Sequence, residues 1–360
     1  MQTRLRSRIV MLGAGPETRG AVATLVEAYR AHGLFEHWPI DYIAISSGEA
    51  PHRQAAVYAR ALRDFALALV HEPRSAVHLH LSRSLWWRQA AFAAAALAAR
   101  CPLVLQLHGS GLGAEAAPLL ARAACVVVSC EASRLWVRSV ARNAHVVCVP
   151  PPAAAVAAPA SGYGASRPNV VLFLGRLEAA KGIYDVLDAL AGVREAVPDA
   201  RLVCAGDGDR TGVARHAERL GIGDAVKFTG WVGPSGKRAL LETAAAFVLP
   251  SYDEALPVSL VEAMAAGVPP IVSPVGGMAE VVQEGVSGFF VAPGDRSGLA
   301  RRLKRVLLDR ALAARVGAAA RESARLRFSP ARALARLGDI YASLGVREPA
   351  HGGEALKKAA

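Results

Sequence analysis

The chain has no lysine before Lys181, no Cys-x-x-Cys pair, no zinc-finger spacing and no block of Lys and Arg. The late lysines, set against abundant alanine and arginine, read as coding bias rather than mechanism. Without a basic block or zinc spacing, nucleic acid ranks last among partners despite the charge. The five cysteines, Cys101, Cys125, Cys130, Cys148 and Cys204, sit mostly in apolar runs such as "CVVVSC" and "RLVCAG", and read as reduced core residues of a cytosolic protein. The N-terminal "MQTRLRSRIVML" is basic, but its apolar run meets glycine after four residues, too short for a signal peptide. The alanine-rich "QAAFAAAALAAR" falls far short of a membrane span. The expectation is a cytoplasmic protein, with any membrane contact peripheral, on the inner face of the cytoplasmic membrane. A G-x-G-x-x-G fingerprint is also missing. "LGAGPETRGAV" breaks it with Pro16 and Glu17, which weakens a dinucleotide-dependent dehydrogenase. No internal repeat is present.

What is present suits two domains. The 360 residues are too many for one ordinary core. Net charge is +12, with sixteen arginines against nine acids in residues 1–150. Such a surface suits a phosphorylated ligand or an anionic membrane. Short β-branched runs alternate with amphipathic helical patterns: "RIVML", "DYIAI", "AVHLHL", "PLVLQLHG" and "ACVVVS". Continuous apolar strands between helices predict a parallel sheet covered on both faces. Residues 150–169, rich in Pro, Ala and Gly, break the alternation, and it restarts at "VVLFLG". The reading is α/β, with a Rossmann-like domain over 1–150, a linker over 151–168 and a second such domain over 169–329. A helix over 330–346 follows, then a tail over 347–360 expected to be disordered. A helix is predicted over 182–196, with Ile183, Val186, Leu187, Leu190 and Val193 on one face. Ligands of such sheets bind beyond the carboxyl ends of strands, so chemistry is sought in those loops.

"YDEALPVSLVEAMAAGVPP", residues 252 to 270, follows the strand "AAFVLP". Pro257 suits a first helical position and Gly267 the stop, which predicts a helix of about 257–266. Its N-terminal N–H groups and positive dipole end form an anion site suited to phosphate. Glu254 lies in the loop at that end and Glu262 inside the helix. Two readings stand on the pair alone: a ligand with sugar hydroxyls meets both carboxylates, or one complements the dipole while the other is solvated. A second loop, "FLGRLEAAKG", brings Arg176 and Lys181, two cations suited to a diphosphate leaving group.

"EALPVSLVE" with "AMAAGVP" after it, and "GRLEAAKG" upstream, resemble the retaining nucleotide-sugar glycosyltransferases of the GT-B fold, family 4, bacterial surface-polysaccharide type. The resemblance covers most of residues 169–325 and is weaker in the first half. It implies two Rossmann-like domains facing a central cleft, with the C-terminal helix returning to the first. Arg176 and Lys181 would bind the donor diphosphate and Glu254 the transferred sugar. Backbone N–H groups around Leu256, Val258 and Ser259 would hold phosphate or sugar, Glu262 the ribose hydroxyls, and the backbone near Val232 the base. His108, in "LQLHGSG", would lie near the sugar, although standing alone it would read as a capping or core-edge histidine. Gly20 and Gly206 would approach the donor closely. Pro257 stands where some relatives have glycine, which removes one donor N–H.

The resemblance further implies a hexosyltransferase that needs no cofactor and no metal, its donor a UDP- or GDP-type sugar, its acceptor a glycan or a polyprenyl-linked oligosaccharide. "AGDGDR" holds Asp207-Gly208-Asp209, an Asp-x-Asp pattern read here as a turn. Two rivals remain: a nucleotide-sugar epimerase of the same fold, and a non-catalytic nucleotide-sugar-binding protein. An anionic membrane surface is carried as a further partner on "LSRSLWWRQAAFAAAALAAR", where Arg83, Trp86, Trp87 and Arg88 precede an apolar helix. A core helix with its basic end in water reads equally well.

Overall fold

The computed structural model describes residues 6–47, 51–83, 86–109, 112–152 and 167–348, leaving out the side chains of residues 51–53. Residues 153–166, most of the expected linker, and residues 349–360 of the expected tail lie outside the described set. The chain divides into two compact units, residues 1–152 with 328–360, and residues 153–327.

The first unit runs β1 (Ile9–Ala14), α1 (Ala21–Ala31), α2 (Leu34–His37), β2 (Ile40–Ser46), α3 (Pro51–His71), β3 (Ala76–Ser82) and α4 (Trp86–Ala98). It continues through β4 (Leu103–His108), α5 (Ala117–Arg122), β5 (Cys125–Val128), α6 (Glu131–Val140) and β6 (Val146–Cys148). Its six strands are all parallel, in the order β2-β1-β3-β4-β5-β6. The alternation of side chains explains why these strands are apolar throughout. Val10, Leu12, Val77, Leu79, Leu103 and Leu105 face one cluster with Phe65 of α3 and Phe92 of α4. Ile9, Met11, Val104 and Val127 face the other, with Tyr29 of α1. Helices cover both faces, so the strands are mostly apolar, and the buried polar side chains His78, His80 and Gln106 must find hydrogen-bond partners.

The second unit repeats the logic with β7 (Val170–Leu174), α7 (Ile183–Arg194), β8 (Arg201–Ala205), α8 (Arg210–Arg219), β9 (Val226–Gly230), α9 (Pro234–Thr243) and β10 (Ala246–Leu249). Then come α10 (Val258–Ala265), β11 (Pro270–Val272), α11 (Met278–Val281), β12 (Phe289–Phe290), α12 (Arg296–Leu308) and α13 (Arg310–Arg327). The strand order is β12-β11-β10-β7-β8-β9, again parallel. The helix expected over 182–196 is α7. All five of its expected core residues are buried, and Gly182 caps it in the left-handed conformation.

The last helix, α14 (Pro330–Ser343), belongs to the first unit. Leu334, Leu337, Ile340 and Tyr341 join Ile9, Met11 and Tyr29 in one cluster. A Cβ on Gly338 would lie 3.1 Å from Trp38, so a glycine there lets the indole press on the helix. The chain returns further still: Arg6 Nε donates to the Leu344 carbonyl at 2.8 Å.

Candidate functional site

In the second unit the loops after β7 and β10 are pressed together. Gly182 has φ +74°, and a Cβ there would fall 2.3 Å from the Pro250 carbonyl oxygen, so only glycine allows the approach. The Tyr252 amide donates to the Ala180 carbonyl at 2.9 Å. This contact sets Lys181 beside Glu254, with Nζ 2.6 Å from Oε1, and Ser251 Oγ donates to the same oxygen at 3.3 Å. Glu254 is only 12% exposed, so it is a held carboxylate and not a solvated decoration. Behind the loop, the Tyr252 hydroxyl donates to Asp185 at 2.9 Å and Arg296 Nε to the same carboxylate at 3.0 Å.

The helix after this loop begins one residue later than its sequence suggests. Pro257 is the N-cap, with extended backbone (φ −69°, ψ 129°), and Val258 opens α10. Proline's fixed φ suits the cap as well as the first turn, and nothing in the sequence separates the two. Gly267, at φ +71°, ends the helix as expected. Leu260, Val261, Ala263 and Met264 are buried, which seats α10 against the sheet. The N–H groups of Val258 and Ser259 lie in the first turn, where helix geometry supplies no intrahelical acceptor. Leu256 is buried, so only its backbone can serve a ligand.

Glu262 is an ion pair and not a surface acid. Lys237 of α9 donates to its Oε1, and the two side chains are 13% and 19% exposed. Burial pushes the Glu262 carboxyl above the usual carboxylate range, and the ammonium of Lys237 opposes the rise. Sequence reading missed Lys237, which is 25 residues away with no local pattern to mark it. It missed Gly276 and Gly277 as well. The Gly277 amide donates to the Ala255 carbonyl at 2.5 Å, and a Cβ on Gly276 would sit 1.9 Å from the Glu254 carbonyl oxygen. These glycines let the loop after β11 clasp the backbone that carries Glu254.

Arg176 is not drawn into this group. It is 66% exposed, and its Nε donates to Glu178 at 2.6 Å. Gly206, at φ +145°, packs where a Cβ would be 2.0 Å from the Gly175 carbonyl oxygen, and its amide donates to the Gly230 carbonyl at 2.9 Å. Three strand ends therefore converge on glycine. Val232 lies just past β9, half-buried, before α9. The Asp-x-Asp stretch is not the expected turn: Gly208 bridges Leu177 in parallel, the Leu177 amide donating to the Asp207 carbonyl and the Asp209 amide to the Leu177 carbonyl. Asp209 caps α8 by accepting from the Gly212 amide at 2.8 Å, and the Tyr184 hydroxyl donates to it at 3.2 Å. Among the described residues no cluster of three His, Cys, Asp or Glu side chains could hold a metal ion.

In the first unit Gly20 caps α1 at φ +154°, a backbone state that favours glycine, in otherwise open space. His108 ends β4. It does not stand alone: its Nε2 lies 2.8 Å from Nδ1 of His80 on β3, one ring donating and the other accepting. His80 stacks on His78, their ring centroids 5.0 Å apart. Gln106 donates to the Tyr29 hydroxyl at 2.9 Å, which leaves its oxygen to accept from His78 Nε2 at 3.0 Å. His78 Nδ1 then accepts from the Tyr341 hydroxyl of α14 at 2.6 Å. The tautomer of His78 is thereby fixed as the neutral Nε2–H form. Burial pushes His108 down to about 4 and His78 to about 3; His80, its Nε2 buried without a partner, is also pushed well below the ordinary value. A cavity of about 270 Å³ lies beside the end of β2, lined by Tyr42, Ser46, Ser47, Arg60 and Asp64 among others. Trp86 and Trp87 lie within α4 rather than before it. Trp86 packs half-buried on the core while Trp87 is 66% exposed.

Residues 162–323 match the family described as "Glycosyl transferases group 1". A glycogen synthase of Mycobacterium tuberculosis is 34% identical over 194 residues, 52% of this chain and 47% of the relative. A phosphatidyl-myo-inositol mannosyltransferase of Mycobacterium leprae is 36% identical over 159 residues, 44% of this chain and 42% of the relative. The chain thus spans about half the length of the curated relatives it matches. Among solved structures, Anabaena Alr3699/HepE in complex with UDP and glucose superposes with a TM-score of 0.76 at 19% identity, over 94% of this chain and all of that one. Sucrose-phosphate synthase of Thermosynechococcus elongatus gives 0.74 at 21% identity, over 94% and 99% of the two chains. The likeness to the glycosyl transferases group 1 family thus lies in residues 162–323, and the fold of the chain is that of the GT-B glycosyltransferases.

Proposed function

We propose that the protein transfers a hexose from a nucleotide diphosphate sugar to a glycan or polyprenyl-linked acceptor, with retention of anomeric configuration and without a metal. The observation that carries this reading is the Lys181–Glu254 pair beside the N-terminus of α10. A diphosphate at that helix end meets a cation, the positive end of the dipole and first-turn amides together. As phosphate takes up Lys181, Glu254 turns its oxygens to the hydroxyls of the transferred sugar. Glu262 accepts from the ribose hydroxyls, the backbone near Val232 meets the base, and Arg176 exchanges Glu178 for phosphate. His108 of the first unit is neutral because its imidazolium is disfavoured, so it would meet a ligand beyond the end of β4 through a hydrogen bond rather than a charge.

In this mechanism the acceptor attacks from the face the leaving group vacates, through an oxocarbenium-like state. A departing phosphate oxygen takes the acceptor's proton, so no enzymic nucleophile is required. The protein's work is electrostatic and positional. Complexes of the Anabaena protein with UDP and with UDP-glucose support a UDP-type donor, with GDP the alternative. The cavity at Ser46, Ser47, Arg60 and Asp64 offers hydroxyls, a cation and a carboxylate that suit a polyhydroxylated acceptor.

The test is product analysis by NMR with UDP- and GDP-hexoses and a lipid-linked oligosaccharide extract. An α-linked product from an α-linked donor is expected. An inverted linkage, an epimerised free donor, or tight nucleotide-sugar binding without turnover would overturn the reading.

A further inference from the structure

The exposed side of α3 differs from an ordinary solvated helix face. Ala59, Arg63, Ala66, Leu67 and Val70 fall at helical spacing along one stripe, with Leu62 at its edge. Leu67 is 48% exposed and Val70 74%, while Phe65 on the opposite side is buried in the core. The stripe runs about 16 Å at ~1.5 Å per residue. Scattered exposed apolar side chains are unremarkable in a folded protein, but a row of them is not.

Trp87 extends the row. The Tyr58 hydroxyl of α3 donates to the Arg88 carbonyl of α4 at 3.0 Å, and the Arg88 guanidinium lies 4.8 Å from the Trp87 ring centroid. An exposed tryptophan carrying an arginine therefore stands against the N-terminal half of α3. The charges around it are predominantly positive. Asp64 is the single acid in the sequence of α3, and Arg63 holds it at 2.8 Å. Between Glu72 and Glu115 the sequence has no acid at all, while Arg74, Arg83, Arg88 and Arg100 fall in that interval.

We infer that the outer face of α3 together with Trp87 docks on an anionic lipid bilayer. Apolar side chains flanked by arginines and headed by a tryptophan match a headgroup boundary, where the guanidinium reaches phosphate and its stem lies in the apolar layer. The lack of free acids favours an anionic lipid surface over a protein partner, whose surface would carry both signs. Trp87 follows β3 as His108 ends β4, and these strands pair Ser82 with His108. Docking by the Trp87 end brings the strand ends that bear His108 to the membrane side, where a lipid-linked acceptor would present its sugar. The inference deepens the acceptor reading but is tested without turnover, so either can fail alone.

The experiment is vesicle sedimentation of the full chain. Phosphatidylglycerol–phosphatidylcholine vesicles are compared with pure phosphatidylcholine at low and high salt, and Trp87→Ser, Leu67→Ser/Val70→Ser and Arg63→Ser are run beside the wild type. These side chains are exposed, so melting temperatures should match the wild type. Binding is expected only to anionic vesicles and is lost at high salt. Arg63→Ser weakens it about fivefold, the contribution of one cation near an anionic surface, and the two apolar variants weaken it by at least as much. Tryptophan emission shifts to the blue with anionic vesicles in the wild type but not in Trp87→Ser. Binding indifferent to lipid charge, salt and all three variants would overturn the inference. So would no binding to anionic vesicles at low salt, or light scattering that shows a dimer which Leu67→Ser/Val70→Ser turns into a monomer.

Discussion

Lys181 Nζ lies 2.6 Å from Glu254 Oε1, and the contact exists because Gly182 lets the loop after β7 touch the carbonyl of Pro250. Cation and carboxylate are thus set together before either meets a ligand. Lys181→Met leaves the diphosphate without its held cation and should lower kcat/KM by about 10²–10³, the effect of deleting one transition-state charge contact. Glu254→Gln should lower kcat more than it raises the donor KM. Steady-state kinetics on the true donor decide this, and full activity in both variants would remove the pair from the chemistry.

Glu262 and Lys237 are expected to behave differently, because the proposed ribose contact would act alike in the ground and transition states. Glu262→Gln should chiefly raise the donor KM. Burial already raises the Glu262 pKa while Lys237 restrains it. Removing that restraint in Lys237→Met raises it further, so protons compete with the ribose hydroxyls as pH falls. The variant's donor KM should therefore climb more steeply than the wild type's as pH is lowered, with kcat little changed. A parallel rise in the two proteins would reduce Lys237 to a structural strut.

Asp209 tests the metal question through a structural role. Asp209→Ala removes the cap of α8 and should cost about 1 kcal/mol, a few degrees of melting temperature. Its kcat and its indifference to EDTA should stay those of the wild type. Activity abolished by EDTA and restored by Mn²⁺, with Asp209→Ala inactive, would return the Asp-x-Asp stretch to the active site.

The histidine chain makes the first unit acid-labile. His78 is held neutral down to about pH 3 and His108 to about pH 4, while an unfolded histidine takes its proton near 6.5. Below pH 6.5 the unfolded chain binds protons that the folded chain refuses. Stability is fully present above that pH and is lost progressively as pH falls toward the folded values, at up to ~1.4 kcal/mol per pH unit for each histidine. Melting temperature should drop between pH 7 and pH 5, and the imidazole NMR signals of His78, His80 and His108 in the folded protein should not titrate over that range. Ordinary titration near pH 6.5 would contradict the buried chain.

Both Rossmann-like sheets and most of their strands were legible because fully covered parallel strands must be apolar throughout, as "VVLFL" and "RLVCA" are. Sequence reading did not list β6, whose three residues "VVC" give too short a period to register, or the single-turn helices α2 and α11. Within the site, Glu254, Glu262 and Lys181 could be found as local patterns on loops and helix ends. Lys237, His80 and Gly276 could not, since their meaning arises from contacts between elements: α9 with α10, β3 with β4, and the loop after β11 with the Glu254 carbonyl. Trp86 and Trp87 share one motif, yet packing half-buries one and exposes the other, which sequence alone leaves open.

The proposed binding of a nucleoside diphosphate through Lys181, Glu254 and Glu262 is the step on which the remaining roles depend. Thermal melting with UDP and GDP in the presence of EDTA measures it most directly. Ligand at a hundredfold above its dissociation constant should stabilise the native state by about 2.7 kcal/mol, roughly 5 °C or more for a unit of this size. The shift should appear with at least one of the two nucleotides, vanish in Glu262→Gln and in Lys181→Met, and persist in Trp87→Ser. No shift with either nucleotide, or a shift unchanged in both site variants, would contradict the account.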